Sequence, residues 1–94
     1  MARVEVSAAA RADLEDLISS HSPPRTHVER VKRSLRQLER FPLLGPPISG
    51  RWEGFRFLLG PWRWMILVYV FLAEDDRVVV VTIQDGRPGH VPKP

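Results

Sequence analysis

The sequence predicts an α+β fold, in which a short strand and two amphipathic helices precede three further strands of an antiparallel sheet. The apolar residues follow a helical period before a loop rich in proline and glycine at residues 42–50, and a strand-like period after it. Each predicted helix has a single apolar stripe, and the sheet is the only large apolar surface that both stripes can cover. We therefore expect both helices on one face of the sheet and an open opposite face.

The N-terminal segment predicts a strand followed by a helix. Residues 3–6 alternate between polar and apolar side chains, which is the period of a half-buried strand. Ser7 is a typical N-cap residue. Four apolar residues follow it at helical spacing, namely Ala10, Leu14, Leu17 and Ile18. We expect this helix to end near Ser19–Ser20, before Pro23–Pro24.

A second helix is predicted to begin after these two prolines. Thr26 followed three residues later by Glu29 forms the pattern of a capping box. The apolar stripe of this helix consists of Val28, Val31, Leu35 and Leu38. Pro42 disfavours helical backbone at Phe41, so the helix is expected to end near Arg40.

Three strands are predicted after the loop at residues 42–50. They run over residues 54–59, 62–72 and 77–83. A turn at Gly60–Pro61 separates the first two, and residues 73–76 connect the last two. The unbroken β-branched run at residues 78–81 predicts a central strand that is buried on both faces.

Length and composition predict a single cytoplasmic domain. A chain of 94 residues with 44% apolar content can bury one core but not two. The absence of cysteine excludes disulfides, thiolate zinc sites and cysteine nucleophiles. The apolar run at residues 64–73 is about half the length that a membrane helix needs, and the N-terminus lacks a signal-peptide pattern. We expect neither export nor membrane insertion.

The basic residues are concentrated in the middle of the chain. Residues 25–63 carry a local charge of +6, whereas the whole chain has a net charge of +3. Most of the basic residues are arginine, which binds phosphate bidentately and stacks on bases. This block predicts a surface for phosphates or for an acidic protein, although a solvated helix face would also explain residues 30–40.

Five stretches of the chain resemble the RelE/ParE toxin superfamily, which includes plasmid stabilisation proteins. They are Val-Glu-Val-Ser-x-x-Ala at residues 4–10, Leu-x-x-Leu-x-x-x-Pro at 35–42, Ile48 to Phe57, Trp-Arg-Trp-Met-Ile at 62–66, and Val81 to Arg87. The similarity spans almost the whole chain. It implies a single RelE/ParE-like toxin domain at residues 1–87, followed by a proline-rich tail at residues 88–94.

The resemblance implies the toxin of a type II toxin–antitoxin system, with a cognate antitoxin as its partner. Members of the RelE kind are mRNA endonucleases that act on ribosomes, whereas members of the ParE kind poison DNA gyrase. We expect an mRNA endonuclease whose partners are the ribosome and mRNA. The alternatives are a non-catalytic gyrase inhibitor and a member that binds its antitoxin without being toxic.

Cleavage of RNA through the 2′-hydroxyl needs a base, an acid and cations that stabilise charge on the phosphate. The resemblance gives the cationic role to Arg56, Arg63 and Arg87, none of which can act as a base because arginine stays protonated. His90 and Glu53 are the candidates for proton exchange. The alternatives for these two are a solvated histidine in the tail and a surface carboxylate.

The side chain of Arg63 is expected on the open face of the sheet, with Trp62 and Trp64 on the opposite side of the same strand. The tryptophans could stack on bases or anchor an antitoxin helix, although core packing is their default role. The basic residues expected to contact nucleic acid are Arg36, Arg40, Arg51, Arg56 and Arg63.

The remaining candidate residues do not form a pattern typical of a cofactor site or a metal site. Tyr69 lies among apolar residues of a strand and is expected to be a buried structural side chain rather than a catalytic one. His21 and His27 have no partner at the spacing of metal ligands. We therefore expect neither a cofactor site nor a metal site.

Overall fold

Residues 1–86 are described by a computed structural model of the chain, and their element order is the predicted one. The elements are β1 (Arg3–Val6), α1 (Ala8–His21), α2 (His27–Arg40), β2 (Arg56–Leu59), β3 (Met65–Leu72) and β4 (Arg77–Asp85), with short 3₁₀ turns at Gly50–Trp52 and Ala73–Asp75. Arg87, His90 and the tail lie outside the described residues.

Within residues 1–86, four strands form one sheet in the order β1-β4-β3-β2. Strands β2, β3 and β4 form the predicted antiparallel meander. Strand β1 pairs with β4 in parallel, so the sheet is mixed rather than wholly antiparallel. A tight turn forces two strands to run antiparallel. Because no hairpin connects β1 to β4, this pair can be parallel. The predicted α+β class is confirmed.

Two predicted strands begin later in the structure than the sequence pattern indicates. Strand β2 begins at Arg56, because Gly54 adopts a φ of 95°. Strand β3 begins at Met65 instead of Trp62, because a turn precedes it in which the Met65 N–H donates to the Trp62 carbonyl at 3.0 Å. Strand β4, in contrast, runs two residues further than predicted, to Asp85.

Both helices pack on the same face of the sheet, as predicted. The buried core joins Ala10 and Leu17 of α1 and Val31 and Leu38 of α2 to Met65, Leu67, Tyr69, Val78, Val80 and Ile83 of the sheet. Strand β4 is central, but Val79 and Val81 are only half-buried. The prediction of burial on both faces is therefore wrong for the open face of this strand, which neither helix covers.

A β-bulge in β4 changes which of its side chains reach the core. Val68 pairs with Thr82 whereas the next residue, Tyr69, pairs with Val80, so Val81 has no partner opposite it in β3. One inserted residue reverses the alternation of the strand from that point. Asp85 consequently lies on the face that the helices cover, with an exposed fraction of 4%.

The N-terminus of α1 agrees with the sequence prediction, whereas that of α2 does not. The hydroxyl of Ser7 accepts from the Ala10 N–H at 3.0 Å, as an N-cap should. Thr26 precedes α2, but its side chain makes no capping hydrogen bond, so the predicted capping box is wrong. Its backbone is not extended, with φ −78° and ψ 6°, and extended backbone is what normally directs an N-cap side chain to the helix.

The loop before β2 covers the outer edge of the sheet. The Phe57 N–H donates to the Pro46 carbonyl at 3.2 Å, and the Ile48 N–H donates to the Phe55 carbonyl at 2.9 Å. The buried Gly45 N–H donates to the Tyr69 hydroxyl at 2.9 Å. Tyr69 is fully buried, which confirms its predicted structural position. This edge strand is therefore protected from pairing with other chains.

Replacing Tyr69 by phenylalanine is expected to remove an alkaline loss of stability. Burial raises the pKa of the Tyr69 hydroxyl above its ordinary value of 10.0, and the Gly45 N–H and the Arg56 guanidinium offset part of this rise. The unfolded chain therefore loses this proton first as the pH rises above 10.0, so the free energy of unfolding falls there and not at lower pH. Tyr69→Phe should abolish that fall. At neutral pH it should cost about 1–3 kcal/mol, because the Gly45 N–H loses its acceptor.

Denaturant unfolding of both proteins from neutral to alkaline pH measures this difference. The phenolate absorbance gives a direct check, because Tyr69 is the only tyrosine of the chain. An ordinary tyrosine titration in the folded protein would contradict the prediction.

Candidate nucleic-acid interface

Residues 60–64, which we call the anchored turn, connect β2 to β3 at the end of the sheet where β4 finishes. The Gly60 N–H donates to the Met65 carbonyl at 2.8 Å, and the Gly86 N–H donates to the Trp64 carbonyl at 2.7 Å. The side chain of Arg63 is exposed in this turn. The structure therefore places Arg63 beside the point at which the chain leaves the sheet.

Aromatic stacking and a cation–π contact hold the anchored turn against both helices. Trp64 stacks on His21 of α1, with ring centroids 3.6 Å apart and planes within 4°, and also on Trp62, at 5.6 Å and 9°. The guanidinium of Arg30, on α2, lies 5.8 Å from the centroid of Trp62. The prediction that Arg63 lies within β3 is wrong because residues 62–64 precede the strand, whereas Trp62 and Trp64 pack against the core, as their default role predicts.

His21 and Asp85 form a buried pair behind the anchored turn. The Nε2 atom of His21 lies 3.1 Å from Oδ2 of Asp85, and the two side chains are 10% and 4% exposed. The sequence analysis missed this pair, because Asp85 reaches the covered face only through the β-bulge. The pair connects α1 to the last residue of β4 and so anchors this helix to the end of the sheet.

Arg56 lies away from the anchored turn. It pairs with Tyr69 in the β2–β3 register and so shares the covered face with that residue. Its Nη1 atom donates to the Gly45 carbonyl at 2.8 Å. Tyr69 lies four residue steps along β3 from Met65, a distance of about 13 Å. The structure therefore does not bring Arg56 together with Arg63, because the alternation of β2 directs Arg56 to the covered face. The predicted phosphate contacts of both residues stay predictions.

Arg51 and Glu53 are exposed at the 3₁₀ turn that precedes β2. The Glu53 N–H donates to the Gly50 carbonyl at 3.0 Å, and Trp52 packs edge-on against Phe55 at 5.2 Å. Within residues 1–86, no hydrogen bond or ion pair connects the side chains of Arg51 or Glu53 to Arg63. Their roles in nucleic-acid binding and proton exchange stay predictions.

The basic side chains of α2 divide between two flanks of the helix. Arg36 and Lys32 line a groove beside β1 together with Glu39. On the other flank, a polar cleft of about 380 Å³ separates α2 from the anchored turn, and it is lined by Arg30, Arg33, Ser34, Gln37, Leu59, Gly60 and Pro61. Arg40 is exposed at the end of the helix. The structure thus brings Arg30 and Arg33, rather than Arg36 or Arg40, to the turn that carries Arg63.

Within the described part of the chain, no group of three or more histidines or acidic residues is arranged to hold a metal ion. In the same part, neither helix is long and apolar enough to cross a membrane.

Comparison with known proteins identifies the family. Residues 4–88 match the family described as ParE toxin of type II toxin-antitoxin system, parDE. The chain belongs to this ParE toxin family. The predicted resemblance to the RelE/ParE superfamily is therefore confirmed, and the protein is the toxin of a type II toxin–antitoxin system. No curated protein sequence matches the toxin.

Solved structures share the fold of the toxin at low sequence identity. The toxin–antitoxin complex RelBE2 from Mycobacterium tuberculosis contains a chain with 23% identity and a TM-score of 0.68, over 89% of this chain and 96% of that one. A metal-bound toxin from Helicobacter pylori has 19% identity and a TM-score of 0.70, over 90% and 94%. The YoeB/ParE toxin from Agrobacterium tumefaciens has 17% identity and a TM-score of 0.67, over 88% and 96%.

Proposed function

We propose that this ParE-family toxin is a ribosome-dependent mRNA endonuclease that a cognate antitoxin neutralises. The observation that carries the proposal is the exposed Arg63. Within residues 1–86 its side chain makes no ion pair or hydrogen bond, and the anchored turn holds it next to Gly86, which Arg87 follows in the sequence. An exposed arginine that no acidic side chain among these residues neutralises is suited to bind a phosphate.

In the proposed reaction, the 2′-oxygen attacks the neighbouring phosphorus while the bond from phosphorus to the 5′-oxygen breaks. Arg63 and Arg87 would stabilise the charge that develops on the phosphate. His90 or Glu53 would take the proton of the 2′-hydroxyl and return one to the leaving 5′-oxygen. Arg56 stays a proposed phosphate contact, apart from the anchored turn, and its Nη1 atom also donates to the Gly45 carbonyl.

The antitoxin partner is proposed from the family and from one structural relative. The family is defined by type II toxin–antitoxin systems, and the RelBE2 relative was solved as a toxin–antitoxin complex. Co-expression with the adjacent reading frame, followed by purification of a stoichiometric complex, tests this partnership. A toxin that remains alone in the presence of that gene product would contradict it.

Arg63→Ala is expected to lower the rate of mRNA cleavage on translating ribosomes at least about tenfold, which corresponds to about 1.4 kcal/mol of transition-state stabilisation. The measurement is primer extension on mRNA after incubation with purified toxin and ribosomes. Arg25→Ala is the matched control, because it removes the same charge from another exposed position before α2. Equal rates for wild type and Arg63→Ala would remove Arg63 from the mechanism.

Inhibition of DNA gyrase is the second candidate function, and two observations favour it. The family that the chain matches is named for ParE. The described residues also supply few groups for proton transfer, because Tyr69 is fully buried and His21 is paired with Asp85. Accumulation of cleaved DNA–gyrase complexes while mRNA stays intact would select this function. Harmless expression in a bacterium without the antitoxin would indicate a non-toxic member instead.

A further inference from the structure

We infer that the cleft between α2 and the anchored turn binds the phosphodiester backbone of a nucleic acid through Arg30 and Arg33. Neither residue belongs to the set predicted from the sequence to contact nucleic acid. The inference rests on the proposed function in one respect, which is that the ligand is a nucleic acid. It adds a second contact surface beside Arg63, which would hold nucleotides that flank the reacting phosphate.

Within residues 1–86, no acidic side chain neutralises the charges of this cleft. None of the lining residues is acidic. The ion pairs within residues 1–86 involve Arg3, Arg77 and His21, and not the two cleft arginines. Arg30 and Arg33 are three residues apart on one helix face, where their Cβ atoms are about 5–6 Å apart. Like charges at neighbouring positions of one helix face repel each other, and a bound phosphate would offset that repulsion.

One wall of the cleft is rigid. The guanidinium of Arg30 lies over Trp62, which stacks on Trp64, and Trp64 stacks on His21. A guanidinium that is already restrained by an aromatic face loses less conformational entropy when it binds an anion. The cleft is lined mainly by polar surface, and the side-chain amide of Gln37 adds a further hydrogen-bond donor at its edge.

The other grooves of the helical face do not share these properties. The groove at Lys32 and Arg36 contains Glu39, whose carboxylate opposes an approaching phosphate. The groove between α1 and α2 is almost wholly apolar, with Arg11 and Lys32 among its lining residues. Of these three grooves, the cleft beside the anchored turn is the one that combines arginines and a polar surface without an acidic residue among residues 1–86.

The test is fluorescence anisotropy with a labelled single-stranded 2′-O-methyl ribo-oligonucleotide, measured over a range of salt concentrations. This probe has no free 2′-hydroxyl, so binding is measured without cleavage. Arg30→Gln combined with Arg33→Gln should weaken binding at least about tenfold at low salt. It should also reduce the slope of log K against log salt by about 1.4, because about 0.7 is lost for each phosphate contact on a single strand.

The matched control is Arg11→Gln combined with Lys32→Gln, which removes the same charge from exposed positions on the other groove. It should keep the wild-type slope. Equal losses of slope in the two double variants would overturn the inference, because they would show a general effect of net charge. Should the double variant fold poorly by circular dichroism, Arg33→Gln alone tests the same contact, with about half the loss of slope expected. Replacing both arginines by lysine should retain most of the slope.

Two further probes, duplex DNA and poly-glutamate, distinguish DNA and an acidic protein from RNA as the ligand of the cleft. If only binding of duplex DNA depends on Arg30 and Arg33, the phosphodiester site stands with DNA as its ligand. If poly-glutamate binding depends on them while binding of both nucleic acids does not, the cleft serves an acidic protein and the inference is overturned. Failure of the proposed function is distinguishable, since a toxin that leaves ribosomal mRNA intact can still show the predicted loss of slope.

Discussion

His21→Ala is expected to lower the free energy of unfolding by about 3 kcal/mol or more, a large part of the stability of a domain of this size. The Nε2 atom of His21 lies 3.1 Å from the carboxylate of Asp85, which is 4% exposed. Breaking a buried pair by removing one partner typically costs about 3–5 kcal/mol. The substitution also removes the imidazole that stacks on Trp64 at 3.6 Å.

Urea or guanidinium unfolding monitored by tryptophan fluorescence measures this cost, and His27→Ala is the matched control. The ring of His27 also makes a polar contact, from Nδ1 to the Pro24 carbonyl oxygen at 3.1 Å, but this contact is exposed. Its replacement should therefore change stability by less than about 1 kcal/mol. Similar midpoints for the two variants would show that the pair of His21 and Asp85 does not stabilise the fold.

The same contacts connect stability to function. The ring of His21 stacks on Trp64, Trp64 stacks on Trp62, and the guanidinium of Arg30 lies over Trp62. Arg63 lies between the two tryptophans in the sequence, so the position of its backbone depends on packing on the covered face. The proposed phosphate contacts therefore depend on core residues that never touch the nucleic acid.

The sequence was sufficient to predict the elements and their order, because the periods of the apolar residues are determined locally. The spacing of Leu14 and Leu17 and the alternation after residue 54 need no knowledge of the partner surface. The parallel direction of β1 could not be predicted, because no short connection constrains it. The bulge at Val81 could not be predicted either, because an unbroken run of valines does not indicate where the register shifts.

The candidate site was less predictable than the fold, because it depends on where the strands begin. The pattern extended β3 back to Trp62 and so placed Arg63 in a strand, whereas the backbone turns at these residues. The face that Arg56 occupies follows from the β2–β3 register, which three-dimensional pairing determines. Arg30 and Arg33 were part of the basic block in the sequence, but only the packing of α2 against the turn brings them to Arg63.

The second large effect is expected at Gly45, where even alanine should cost about 3 kcal/mol or more. A Cβ atom at this position would overlap the carbonyl oxygen of Phe57 and lie 2.8 Å from its carbonyl carbon and 3.1 Å from Cε1 of Tyr69. The obstacle is mainly backbone of β2, which cannot move aside without disturbing the sheet. Displacement of the loop instead would break the hydrogen bonds of Gly45 with Tyr69 and Arg56.

Gly60→Ala is the control for this substitution, because it also introduces a methyl group into a confined position. There the new Cβ atom would meet Met65, at 2.9 Å from its Sδ atom, and a methionine side chain can change its rotamer where a strand backbone cannot. Thermal and denaturant unfolding should therefore show a much larger loss for Gly45→Ala than for Gly60→Ala. The reverse order would mean that the loop before β2 is not fixed against the sheet by the close approach of Gly45 to Phe57.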